Sequence, residues 1–221
     1  MTDGAVEIAY TSRAAEYTEL FGSTDKAHES DQLLISRWAQ SLRGPAIDAG
    51  CGPGHWTALL GSLGVVAEGI DFVPLFIEQA QSRFPDVQFR VATLRDLGVP
   101  DGHLAGILAW YSLIHFSPAE LPFVFCEFSR CISPGGSVLV GFFEGSPGEP
   151  FAHAVTTAYS WSIEAMSLQL AAAGFDVQEA HGRRVPGIRP HAALLAVRST
   201  REVLPPLAGT ETIREPGWYS P

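Results

Sequence analysis

From Ala46 onward, short apolar runs that end in glycine or in an acid alternate with amphipathic stretches. The runs predict strands over 45–49, 65–70, 87–91, 104–110, 136–143, 174–181 and 191–198, and the stretches between them predict helices over 55–62, 74–83, 118–131 and 162–173. Strands that alternate with helices make βαβ units, hence a largely parallel sheet with right-handed crossovers. The pattern ends differently. Only Gly182 to Pro190 separate strand 174–181 from strand 191–198, too few residues for a helical crossover, so this pair is expected to run antiparallel. The expected class is α/β: a seven-stranded, mostly parallel, doubly wound sheet with a C-terminal antiparallel hairpin.

Ahead of the sheet, residues 5–21 and 27–41 read as helices and make an N-terminal two-helix cap over 1–44. In the second helix Leu33, Leu34, Trp38 and Leu42 recur at helical spacing and mark a buried face. Tyr10, Arg13 and Tyr17 share one face of the first. The sheet domain is expected over 45–198. Residues 199–221, with Pro205, Pro206, Pro216 and Pro221, have little periodicity and read as an extended tail.

The net charge of -10 excludes a broad nucleic-acid interface, because phosphate binding needs clustered Lys and Arg. Arg183, Arg184 and Arg189 form the sole local basic group and read as a solvated turn. Three cysteines, Cys51, Cys126 and Cys131, are too few and too irregular for a disulfide framework or a metal site; the last two read as core packing in a helix. The first residues lack a basic segment followed by an apolar one, and no window is long and apolar enough for a bilayer. These features predict a cytoplasmic protein, monomer or homodimer, with no metal, no nucleic-acid partner and no membrane partner.

The segment most informative about chemistry is the strand, loop and helix that begin at Ala46. Glycines at 50, 52 and 54 let backbone approach a ligand without Cβ interference, and the helix from His55 turns its free N–H groups toward it. A dinucleotide fold wants Gly-x-Gly-x-x-Gly, whereas here the third glycine comes one residue early and His55 takes its place. Asp48, just before the loop, suits a ligand with an ammonium group better than a pyrophosphate. Asp71, about twenty residues on, suits a ribose diol, although a helix cap ahead of Pro74 would explain it too.

Several motifs in order resemble those of class I, seven-stranded S-adenosylmethionine-dependent methyltransferases. Ile47-Asp48-Ala49-Gly50-Cys51-Gly52-Pro53-Gly54 resembles the family's first motif, and Gly69-Ile70-Asp71 the acidic end of its second strand. Phe89-Arg90-Val91-Ala92-Thr93-Leu94-Arg95-Asp96-Leu97 sits where the family passes the adenine ring. Gly106-Ile107-Leu108-Ala109-Trp110-Tyr111-Ser112-Leu113-Ile114-His115-Phe116 is similar to its fourth strand and the loop facing the methyl group. Ser133-Pro134-Gly135-Gly136 and Ala171-Ala172-Ala173-Gly174-Phe175 resemble the turns that enter its last strands. The likeness spans about residues 45 to 198 and is greatest to small bacterial enzymes acting on small molecules. There are two departures: Thr93-Leu94 stands where Asp and an apolar residue are usual, and strand 104–110 lacks an acid at its start.

The resemblance implies S-adenosylmethionine as cofactor, held by Asp48, Ala49, Gly50, Cys51, Gly52, Gly54, Asp71, Phe72, Thr93 and Leu94, with Trp56, Trp110 and Tyr10 against it. The acceptor is expected to be a small molecule methylated on oxygen or nitrogen. Methyl transfer from a sulfonium is an in-line displacement, and a base is required only if the acceptor must lose a proton. His115, after the fourth strand, is the candidate base, and structural packing under the cofactor is its other reading. Tyr111, His115, His153 and Tyr159 are the candidate substrate residues, and His191, which opens a strand, reads as structural. Two other classes stay in view: a non-catalytic S-adenosylmethionine-binding regulatory module and a nicotinamide-dependent oxidoreductase.

Overall fold

The structure, a computed structural model, describes residues 10, 11, 13, 16, 18, 19, 22–153 and 156–200. After a helical stretch at Tyr10, Thr11, Arg13, Glu16, Thr18 and Glu19 come α1 (Glu29–Ser41), β1 (Ala46–Ala49), α2 (His55–Ser62), β2 (Ala67–Asp71), α3 (Pro74–Arg83), β3 (Gln88–Val91) and β4 (Leu104–Trp110). Then follow α4 (Leu121–Cys131), β5 (Ile132–Phe143), β6 (Glu149–Ala152), β7 (Thr157–Ser160), α5 (Ile163–Ala172), β8 (Phe175–Arg183) and β9 (His191–Arg198). Tyr17, on the predicted first-helix face, and the tail from 201 lie outside the described residues.

Seven strands form one sheet in the order β3-β2-β1-β4-β5-β9-β8. Pairing is parallel through β5 and antiparallel between β5 and β9 and between β9 and β8, so the expected closing hairpin is present. The order reverses between β1 and β4, which opens a crevice beyond their carboxyl ends, the usual ligand position in such sheets. Alternation along the strands feeds two cores. Ile107, Ala109, Val138 and Val140 meet Phe125, Phe128 and Met166 from α4 and α5, while Leu108 and Leu139 meet Trp38 and Leu60 from α1 and α2. Gly106, the third residue of β4, has no room for a side chain: a Cβ there would lie 2.7 Å from both Trp38 and Leu42. Trp38 is also anchored by donating from Nε1 to Ser137 Oγ at 2.9 Å.

Three expectations are corrected. Strand β5 starts at Ile132 and runs through the Pro-Gly-Gly segment, with a register shift between Leu104 and Gly106 absorbing the irregularity. Helix α4 starts at Leu121, because Glu120 folds back to accept the amide of Ser117 at 2.9 Å and Pro118 disfavours helical backbone before it. Cys126 is exposed, since the buried stripe of α4 runs through Leu121, Val124, Phe125, Phe128 and Cys131. Strands β6 and β7 were not anticipated; they form a separate two-stranded antiparallel sheet, each strand too short to show alternation. No helix among the described residues is long and apolar enough to cross a membrane.

The loop after β1 carries the tightest packing. All four residues of β1 are buried, and the Asp48 carboxylate accepts a hydrogen bond from Thr57 Oγ1 of α2 at 2.7 Å. Burial, more than its partner, sets this acid's behaviour and pushes its pKa up to about 7. Gly54 precedes α2 with a left-handed φ of 84°, and a Cβ on it would lie 2.8 Å from the Phe89 ring.

Two stability outcomes follow. Gly54→Ala combines a left-handed backbone with a clash and is expected to cost about 2–4 kcal/mol in denaturant unfolding. Asp48→Asn should raise Tm by roughly 3–6 °C at pH 8. Folding raises this acid's pKa from its ordinary carboxylate value to about 7, so its cost to the native state is absent below about pH 4, grows between about pH 4 and 7 and is constant above. The gain, read by thermal melts across pH, should therefore fade toward pH 4.

Candidate active site

Two cavities meet over the crevice between β1 and β4. The first is a slot whose floor is Gly50 and Gly52, with backbone φ of 78° and 51°. One wall is Asp71, Phe72, Val73 and Phe76; another is Thr93, Leu94 and Arg95; Trp110, Tyr111, Ser112 and His115 close it from β4. The Asp71 carboxylate accepts the amides of Gly52 and of Val73, both at 2.9 Å, so the end of β2 is tied to the glycine loop. Burial raises the pKa of Asp71 to about 6 against the pull of these amide bonds. Val73, not Asp71, occupies the N-cap position of α3.

Tyr10 sits over the slot. Its hydroxyl donates to His115 Nε2 at 2.7 Å, while His115 Nδ1–H donates to the Thr157 carbonyl of β7 at 2.8 Å. Both nitrogens of His115 are thus engaged, and burial lowers its pKa, which keeps the ring neutral. The cap is held from below as well. Arg83 of α3 donates to the carbonyls of Pro53, at 3.1 Å, and of Gly22.

The second cavity, a chamber of about 430 Å³, shares Tyr10, Gly50, Gly52, Trp110 and Tyr111 with the slot. It is walled by Cys51, His55 and Trp56 on one side, by Phe143 and His153 on another, and by Lys26, His28, Asp31, Arg183 and His191 across the mouth. Burial lowers the pKa of His55 and of His153 to about 4, so both rings are neutral near pH 7. Arg183 pairs with Asp31 through both guanidinium nitrogens, one at 3.1 Å. Tyr111 Oη and His191 Nδ1 are hydrogen-bonded to each other. A third cavity, a groove between α1 and the β8–β9 pair, adjoins the chamber at Asp31, Tyr111, Arg183 and His191.

Of the residues singled out in the sequence, Tyr10, Gly50, Gly52, Asp71, Phe72, Thr93, Leu94, Trp110, Tyr111 and His115 line the slot, and Cys51, Trp56 and His153 line the chamber. Asp48, Ala49 and Gly54 lie beneath the loop and line neither cavity; Tyr159, on β7, is outside both as well. Arg13 pairs with Glu16 instead of reaching the slot. Arg183, Asp31, Lys26, His28, His55 and Ser112 were missed. Arg184, paired with Glu144 at 3.0 Å, and Arg189, 3.7 Å over the Phe151 ring, lie exposed in the turn between β8 and β9 as expected, whereas Arg183, at the end of β8, is a paired lining residue. His191 had a signal that was available: the first residue of an antiparallel strand lies at the same sheet edge as the last residues of parallel ones.

Four buried side-chain polar atoms among the described residues lack a hydrogen-bond partner, and three of them, Ser112 Oγ, His55 Nδ1 and His153 Nδ1, belong to residues lining these cavities. Such atoms carry a desolvation cost until something polar meets them. The slot thus presents an orphaned Ser112 hydroxyl and the Asp71 carboxylate between apolar walls that include Phe72 and Leu94. Among the described residues no cluster of His, Cys, Asp and Glu is placed to hold a metal ion.

Residues 46–136 match the family described as a methyltransferase domain. No curated protein matches the sequence. Among solved structures, the 1,6-didemethyltoxoflavin N1-methyltransferase of Burkholderia thailandensis, with S-adenosylhomocysteine bound, is 19% identical with a TM-score of 0.72 over 89% of this chain and 88% of that one. Magnesium protoporphyrin IX methyltransferase from Synechocystis PCC 6803, also with S-adenosylhomocysteine, is 17% identical with a TM-score of 0.71 over 90% of this chain and 100% of that one. A cyclase is 19% identical with a TM-score of 0.67 over 80% and 84%, a reminder that at such identities the likeness extends to the fold. The domain match and the likeness of fold agree: residues 46–136 match a methyltransferase domain, and the chain has the fold of these two methyltransferase structures.

Proposed function

We propose that the chain is an active methyltransferase whose acceptor is a small molecule bearing an oxygen or nitrogen nucleophile. The observation that carries this reading is the orphaned set of Ser112 Oγ, His55 Nδ1 and His153 Nδ1 at two adjoining cavities, one shaped for the donor and one left for a second molecule. The chamber's volume suits a compact organic acceptor, and its Trp56, Trp110, Tyr111 and Phe143 walls suit a flat one.

In the donor slot, Asp71 holds the ribose hydroxyls, with Phe72, Thr93 and Leu94 about the adenine. The backbone of Gly50, Cys51 and Gly52 runs beneath the methionine portion. Trp110 and Tyr10 pack against the bound donor, whereas Trp56, the other residue expected there, faces the chamber. Asp48, Ala49 and Gly54 act through the loop they support. S-adenosylmethionine supplies a methyl group on a positively charged sulfur, a leaving group that needs no protonation. The protein's work is then alignment and exclusion of water, done by Tyr10 above and Trp110 and Tyr111 beside the reacting atoms. His115 positions Tyr10; its tautomer is fixed by Thr157, and Nε2 is occupied by the Tyr10 hydroxyl. Tyr111 and His153 bound the acceptor, and Tyr159 acts at most through β7.

Calorimetry should show S-adenosylmethionine binding and no NADH binding, and a metabolite screen should show S-adenosylhomocysteine release. NADH binding without donor binding would turn the reading toward an oxidoreductase; donor binding without release against any acceptor would turn it toward a regulatory module. Asp71→Asn is expected to weaken donor binding by roughly 10- to 100-fold, as expected for lost charge-assisted hydrogen bonds. His115→Ala should raise the KM for the donor severalfold with the pH profile of kcat retained. Loss of one limb of that profile would instead make His115 the base.

A further inference from the structure

We infer that Tyr111 and His191 form a proton relay for the acceptor, Tyr111 taking the proton of the attacking group while it hands its own to His191. The inference rests on the methyl-transfer reading above and names the group that makes an O–H or N–H acceptor nucleophilic.

Tyr111 stands where the three cavities join, lining the donor slot, the acceptor chamber and the outer groove. Its backbone is left-handed, with φ of 58°, the one non-glycine in that region among the described residues. A tyrosine there is strained and persists only where the surroundings over-determine it. Here its amide donates to the Gly141 carbonyl at 3.0 Å, and its ring meets Trp110, Phe143 and His191 at centroid distances of 5.6, 5.1 and 5.4 Å. The turn away from the β4 direction brings the phenol to the His191 imidazole. His191 reaches this edge because it begins β9 opposite Phe143, the last residue of β5.

The pair rests in the protonation state a relay needs. Burial holds the Tyr111 phenol un-ionised and the His191 ring unprotonated. The tautomer of His191 that carries its proton on Nε2 presents the Nδ1 lone pair to the hydrogen-bonded phenol, and the relay uses that tautomer. Asp31 favours the imidazolium that would form, whereas Arg183 and His28 oppose it, and His153 lies beyond Phe143. His115, the other ring at this edge, has both nitrogens engaged.

The step balances. The acceptor heteroatom bonds to the methyl carbon as the carbon–sulfur bond breaks, its electron pair remaining on sulfur as a neutral thioether. The acceptor's proton passes to Tyr111 Oη as the Tyr111 proton passes to His191 Nδ1. His191 lines the outer groove too, and releases the proton to water there. Tyr111 is the catalytic residue in this scheme; His191 acts through it.

The test uses 4-nitrophenol as the acceptor probe, with the full chain saturated with S-adenosylhomocysteine, and reads nitrophenolate absorbance against pH. In the wild type the bound probe should ionise about one pH unit below the free probe. In Tyr111→Phe and, independently, His191→Asn, each read at probe concentrations that saturate it, the shift should disappear. Failure of the probe to bind the wild type, or the same shift in both variants, overturns the relay. Absence of S-adenosylhomocysteine binding to the wild type overturns the donor reading and the relay with it, whereas donor binding with unshifted probe ionisation overturns the relay alone.

Discussion

The carboxylate of Asp71 accepts the amide of Gly52 from the loop after β1 and that of Val73 from the start of α3, and the geometry of the whole site depends on this junction. It fixes the glycine loop relative to the second strand, so the slot floor and its acidic wall form one rigid unit. The loop can accept this tie because Gly50, Gly52 and Gly54 all hold positive φ, and because Thr57 steadies Asp48 from beneath. Two buried acids on one ligand cradle are costly to an empty protein, and their raised pKa values report that cost. Stability is surrendered at the place where a polar, positively charged ligand would recover it.

Around the second cavity the electrostatics are of another kind. The chain is strongly acidic overall, yet the chamber mouth gathers Lys26, Arg183 and several histidines, with Asp31 balancing Arg183. His55 and His153 are neutral by burial, so they offer hydrogen bonds without charge. A chamber of neutral polar groups and aromatic walls discriminates by shape and hydrogen bonding more than by net charge.

The sheet was legible in the sequence because each parallel strand is a short apolar run punctuated by glycine or acid, and the antiparallel end was legible because nine residues cannot hold a crossover helix. The slot was legible for the same reason: its residues fall at strand ends, between Gly50 and His115. The chamber was not, since it is assembled from the start of α1, the segment after β4 and the β8–β9 pair, and no local pattern links Asp31 to Arg183 or Tyr111 to His191. Strands β6 and β7 were hidden by their four-residue length and Pro150. Asp48 looked like a ligand contact from its place in the motif, but the strand's complete burial turns it inward onto Thr57.

The insertion of β9 antiparallel between β5 and β8 divides the molecule by sequence distance. The slot is drawn largely from the βαβ units between Gly50 and Glu120, with Tyr10 closing it, whereas the chamber also needs the β8–β9 hairpin, which adds His191 and Arg183. Substitutions in that hairpin therefore reach the acceptor side while leaving the glycine loop and Asp71 untouched. The late-arriving edge of the sheet is thus the part of the site that can change with least disturbance to the slot.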